Sequence, residues 1–126
     1  MWESSPGVWV FDFCQNMAGF TTLRIPAGAA TTAGQAITYQ HAELIRGPKP
    51  AGIHNHYGNS PEINIYYCKG DGGAVEHAAQ FTYAGFRYVS LSGFPGTPGF
   101  DTLTAHFIHT DYELTVRHFP AQFPPF

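Results

Sequence analysis

The sequence predicts an all-β protein, an antiparallel β-sandwich of jelly-roll type. Three observations carry that expectation. Aromatic side chains, which favour strands, make up 16% of the 126 residues. Turn formers are abundant, with 14 Gly and 10 Pro, and they cut the chain into short runs. Within the runs, apolar and polar residues alternate with period two, and no stretch shows convincing helical spacing.

The first strand is expected over Val8 to Phe13, where Trp9, Phe11 and Phe13 alternate with Val10 and Asp12. Residues Gln15 to Gly19 break that pattern, and Gly19 supplies either a positive φ or a close backbone approach. A second strand covers Phe20 to Ile25 and stops at Pro26-Ala27-Gly28. The third covers Gln35 to Leu44, with Ile37, Tyr39, His41 and Glu43 on one face. Arg46 to Pro61 is rich in Gly and Pro and reads as a long loop, a feature that in compact domains tends to be functional. Further strands are expected at Ile63 to Cys68, briefly at Phe81 to Tyr83, then at Phe86 to Leu91, Leu103 to His109 and Leu114 to Phe119. The layout is an N-terminal extension (1–6), a sandwich (7–119) and a Pro-rich tail (120–126). A cupin-type barrel is an alternative arrangement of the same strands.

Composition narrows the function. Net charge is −3 with only six Lys and Arg, too few to neutralise a run of phosphates, so no nucleic-acid partner is expected. No apolar stretch is long enough for a membrane helix, so no membrane partner is expected either. The N-terminus lacks the basic start and apolar segment of a signal peptide. The chain is therefore cytosolic or begins inside a longer one, and its localisation stays open. Cys14 and Cys68 are too few for a disulfide framework and, lying in strand-like runs, are expected to be buried free thiols.

Seven histidines make a metal site worth testing. His54 and His56 are two apart, which on a strand puts both imidazoles on one face, and Glu62 follows as a carboxylate. This order is loosely similar to the first cupin motif, and a cupin-like metal-binding protein using His54, His56 and Glu62 is the alternative function. The spacing from His56 to Glu62 is longer than in that family, no second motif follows, and no metal or cofactor is assigned. Glycoside hydrolysis needs a pair of carboxylates. Asp12, Glu43, Glu62, Asp71, Glu76, Asp101, Asp111 and Glu113 stand in no signature that fixes one, so no catalytic residue is assigned. Asp12, beside a turn, is expected to accept backbone N–H bonds. Sugar binding needs aromatic faces with carboxylates or amides, and Tyr57 and Asn59 in the long loop are the ligand-binding candidates.

Taken in order, several segments resemble one family. Asp12-Phe13-Cys14-Gln15-Asn16-Met17-Ala18-Gly19 is similar to the Asp-Phe-Gly-Gln-Asn-x-x-Gly opening of the concanavalin-like β-sandwich domain of bacterial-type α-L-rhamnosidases. His41-Ala42-Glu43, Tyr57-Gly58-Asn59 and Tyr66-Tyr67-Cys68-Lys69-Gly70 resemble later segments. The most specific piece is Phe81-Thr82-Tyr83-Ala84-Gly85-Phe86-Arg87-Tyr88-Val89, and His109-Thr110-Asp111 resembles the closing motif. The likeness runs from about Gly7 to Asp111. Cys14 replaces a usual Gly, and Ser60-Pro61-Glu62 replaces a usual basic residue. The resemblance implies a concanavalin-like accessory domain, not catalytic on its own. In that family the catalytic carboxylates lie in an (α/α)-barrel that follows. The implied partners are such a barrel or rhamnose-containing glycans.

Overall fold

The computed structural model describes residues 1–54 and 62–111. Among them there is no helix, and nine strands account for the regular structure. These are β1 (Trp2–Ser5), β2 (Val8–Ile25), β3 (Ala36–Ala42), β4 (Leu44–Ile45), β5 (Ile53–His54), β6 (Ile63–Tyr67), β7 (Val75–Ala78), β8 (Ala84–Ser92) and β9 (Leu103–Phe107). The expected strand at Leu114 to Phe119 and the tail lie outside the described residues.

Strand β2 organises the sandwich. Its first half pairs with β1 on one side and β8 on the other, and β8 continues through β3 to β6. Its second half pairs with β9 and β7. All these pairings are antiparallel. One long strand thus serves both layers. The two strands expected at 8–13 and 20–25 are a single one, and the break in alternation between them is a bulge. Asp12 faces Tyr88 and Met17 faces Phe86, so β2 carries extra residues there. Cys14 takes up the distortion with a φ of 66°, unusual for a non-glycine residue.

The bulge puts Cys14 at the surface, which corrects the expectation of two buried thiols. Cys68 is buried and also free. Strand β7 falls in Val75–Ala78, where no strand was expected, whereas Phe81 to Tyr83 is not a strand and Phe81 is fully exposed. The N-terminal extension carries β1, whose Trp2 meets Tyr88 edge-on at 6.3 Å.

The core forms between the layers from Phe11, Leu23, Ile25, Ile37, Tyr39, Phe86, Val89, Leu91 and Leu103, with Cys68 and Ala84. The alternation within β3 holds: Ile37, Tyr39 and His41 all point inward. In β8 the inward set shifts from Ala84 and Phe86 to Val89 and Leu91. The shift lies level with the β2 bulge.

Asp12 locks that bulge. Its Oδ1 accepts the Cys14 N–H at 2.9 Å and Arg87 Nε–H at 2.9 Å, and Oδ2 accepts from Lys49 Nζ at 3.0 Å. Lys49 also sits 4.5 Å from the Trp2 ring centroid, which draws β1 into the same cluster. The Arg87 hydrogen bond, with smaller help from Cys14 N–H and Lys49, outweighs burial and holds the Asp12 carboxyl well below the usual carboxylate range. A depressed carboxylate contributes stability above its unfolded value, about 3.9, and loses that contribution as pH falls below it. Asp12→Asn is therefore expected to lower Tm by several degrees at pH 7. The gap should shrink toward pH 2, as read by thermal melts across pH.

Candidate functional site

His41 is the starting point, because a histidine on a buried strand face must find partners. It is 3% exposed. Thr21, on the facing β2, lies 3.0 Å from Nε2, and Asn64 Nδ2 of β6 lies 3.5 Å from Nδ1. The ring packs edge-on against Phe86, with centroids 4.7 Å apart. Burial pushes the His41 pKa down, and the Glu62 backbone carbonyl only partly offsets this. The ring is thus neutral at pH 7.

Above this ring opens a cavity of about 230 Å³. Its walls are Phe20 and Thr21 of β2, His41 of β3, Glu62 to Asn64 at the start of β6, and Thr82 to Ala84 leading into β8. Gly19 forms part of the lining and explains how three strands meet there. A Cβ at Gly19 would collide with the His106 carbonyl of β9, so the position needs glycine for close approach and not for a positive φ.

Glu62 supplies the one carboxylate among the described lining residues. The Gly85 N–H donates to this carboxylate, but the buried Oε2 has no hydrogen-bond partner among the described residues. Burial pushes the Glu62 pKa up; the Gly85 N–H partly opposes this, and the nearby Glu43 adds a lesser push upward. Glu43 itself accepts from Asn16 Nδ2 at 2.8 Å. An acid with a raised folded-state pKa contributes stability below its unfolded value, about 4.3, and loses it as pH rises through the folded value. Glu62→Gln is therefore expected to gain Tm relative to the parent at pH 7 but not at pH 4, as read by paired melts at the two pH values.

The sequence-derived sites fare differently. Tyr57, Asn59 and His56 lie outside the described residues. His54 ends β5 and is exposed, and it does not line the cavity that holds Glu62. Among the described residues no group of three His, Cys, Asp or Glu side chains is placed to hold a metal. Thr21, Asn64 and Tyr83 were missed. The available signal was the inward face of β3, since a buried His41 calls for a hydroxyl or amide on the strands around it.

The match to known proteins decides the family. A model of the bacterial alpha-L-rhamnosidase concanavalin-like domain matches residues 2–109.

The chain belongs to that family.

Among curated relatives of this rhamnosidase-type sandwich, an alpha-L-rhamnosidase of Streptomyces avermitilis is 34% identical over 113 residues, covering 90% of this chain and 10% of the relative. One from Formosa agariphila is 30% identical over 119 residues, covering 91% of this chain and 12% of the relative. The crystal structure of the Streptomyces avermitilis enzyme complexed with L-rhamnose superposes with a TM-score of 0.76 at 34% identity, over 86% of this chain and 10% of that one. The alpha-L-rhamnosidase from Dictyoglumus thermophilum gives 0.70 at 32% identity, over 82% of this chain and 11% of that one. The chain thus spans 10 to 12% of the length of these curated relatives. The rhamnosidase family match includes His54, His56 and Glu62, so the cupin-like alternative is withdrawn.

Proposed function

We propose that this chain is a non-catalytic accessory domain of an α-L-rhamnosidase-type glycoside hydrolase and that it docks on a catalytic (α/α)-barrel. The carrying observation is the fate of the carboxylates. Hydrolysis takes two carboxyl groups flanking one cleft. Among the described residues the cavity has Glu62 alone, with Glu43 outside its lining. Glu76 and Asp101 line a second cleft together, but there Asp101 is tied to Arg24, and two further carboxylates hold structural contacts. Asp12 is locked to Arg87, Asp101 pairs with Arg24 at 3.2 Å, and Asp71 caps the Gly73 N–H at 3.0 Å.

The surface supports docking. Among the described residues strand β6 is an edge of its sheet, and Ile63, Ile65 and Tyr67 all point outward from it, 42%, 48% and 63% exposed. An apolar row on an edge strand is an aggregation liability for a free domain and an interface for an embedded one. The partner is then the remainder of a rhamnosidase, and rhamnosides are the substrates of the assembled enzyme.

Adding this chain to a rhamnosidase from which the equivalent domain has been deleted should give a complex on size-exclusion chromatography. Ile65→Asp with Tyr67→Asp should abolish it. Absence of a complex with the parent chain, or a complex indifferent to the double substitution, would contradict the docking surface.

A further inference from the structure

The cavity over His41 has a feature that docking does not use. Glu62 Oε2 is buried, lacks a donor among the described residues, and belongs to a group that lines an open cavity. A buried acceptor without a donor costs about 1–3 kcal/mol, so such a group either sits on strain or awaits a ligand. The walls resemble a ligand site more than a packing fault. The Asn64 amide and Thr82 lie with Glu62 around the cavity, Phe20 closes one side, and Tyr83 stands at the rim, 73% exposed.

We propose that this cavity binds a neutral, monosaccharide-sized polyol, with the Glu62 carboxylate accepting from a sugar hydroxyl and the Tyr83 ring covering an apolar face of the sugar. Three observations point to this class. The volume of about 230 Å³ suits one pyranose ring and is small for a drug-sized ligand. The unsatisfied atom is an acceptor buried behind the cavity wall, and a turn of the Glu62 carboxylate would bring it to a sugar hydroxyl, which satisfies it without bringing a charge. The exposed aromatic ring offers the apolar platform that a sugar's C–H face needs. The inference rests on the accessory-domain reading only in choosing L-rhamnose as the first probe.

The test is an NMR titration of the full chain with L-rhamnose, and in parallel with D-mannose and D-glucose. The expected result is saturable amide shifts confined to residues 62–64 and 79–84 at millimolar sugar. Glu62→Gln, which keeps the side-chain shape and is expected to fold, should weaken binding at least about tenfold, and Tyr83→Ala should weaken it in the same direction. Saturable binding of mannose or glucose without rhamnose would uphold the site while counting against the rhamnosidase assignment of its ligand. The proposal is overturned if no sugar gives saturable shifts, if the shifts map elsewhere, or if Glu62→Gln binds as the parent does. A response to methylammonium chloride at matched ionic strength with none to sugars would also overturn it, by showing a cation site. None of these outcomes touches the docking test, so the two readings fail separately.

Discussion

Phe86→Ala is expected to destabilise the chain by about 4 kcal/mol, the middle of the range for truncating a buried phenylalanine. Phe86 is fully buried on β8, between the bulge of β2 and the cavity. It meets Phe13 edge-on at 5.8 Å and forms the wall against which His41 rests. Truncation therefore leaves a void bordered by an imidazole that is then held from its other sides, by Thr21 and Asn64 among others. Whole domains are stable by only about 5–15 kcal/mol, so the variant should melt roughly 15 °C below the parent. Phe86→Leu keeps most of the apolar bulk and should cost about 1.5 kcal/mol. Urea titrations with an unchanged m-value would read both. A loss below about 1 kcal/mol for alanine would mean that the layers do not close on this ring.

Gly19→Ala should cost nearly as much, by a different route. The added methyl meets the His106 backbone carbonyl, and a backbone atom in a paired strand cannot swing away. Gly19 is paired on both sides, with Ala84 of β8 and Phe107 of β9. Moving β9 outward would also strain the stacking of His106 on Phe20, whose centroids are 4.6 Å apart, and its 2.8 Å bond to Thr22. Overpacking of this kind costs about 3 kcal/mol at the upper end of its usual range. Gly28→Ala is the matched control for space, because no atom lies near its added Cβ, although its φ of 79° makes some strain unavoidable. Melts of the two variants should show Gly19→Ala as the worse by several degrees.

Much of the fold could be read in the sequence because the hydrophobic pattern is local. The face carrying Ile37, Tyr39 and His41 needs only a period of two, and it is buried as that period implies. Asp12 was legible as a turn-capping carboxylate, although its Arg87 and Lys49 partners come from distant segments. The continuity of β2 was not legible. The residues Gln15 to Asn16 are exposed at the bulge, so they carry no buried alternation even though the backbone continues extended. Strand β7 was hidden for a similar reason: Val75-Glu76-His77-Ala78 is too mixed to announce itself, and its pairing with the end of β2 gives it order.

The cavity illustrates the same limit for function. Glu62 follows a Pro in a Gly-rich loop and reads as a surface carboxylate, which is how it entered a metal-site hypothesis. Its place in the structure depends on β8, whose Gly85 N–H donates to the carboxylate. No pattern within residues 55–65 encodes that. The family motif around Phe81 to Val89 carries structural duties instead: Phe86 in the core, Arg87 on Asp12, Tyr88 against Trp2. Motifs of this kind identify the domain without marking a reacting group.

Whether the purified chain cleaves a rhamnoside tests its non-catalytic role most directly. Incubation with an aryl α-L-rhamnoside, followed by release of the aryl alcohol, should give no rate above buffer, and Glu62→Gln should be indistinguishable from the parent. A rate that follows the chain through purification and disappears in Glu62→Gln would contradict the account, because it would place the reaction within this sandwich.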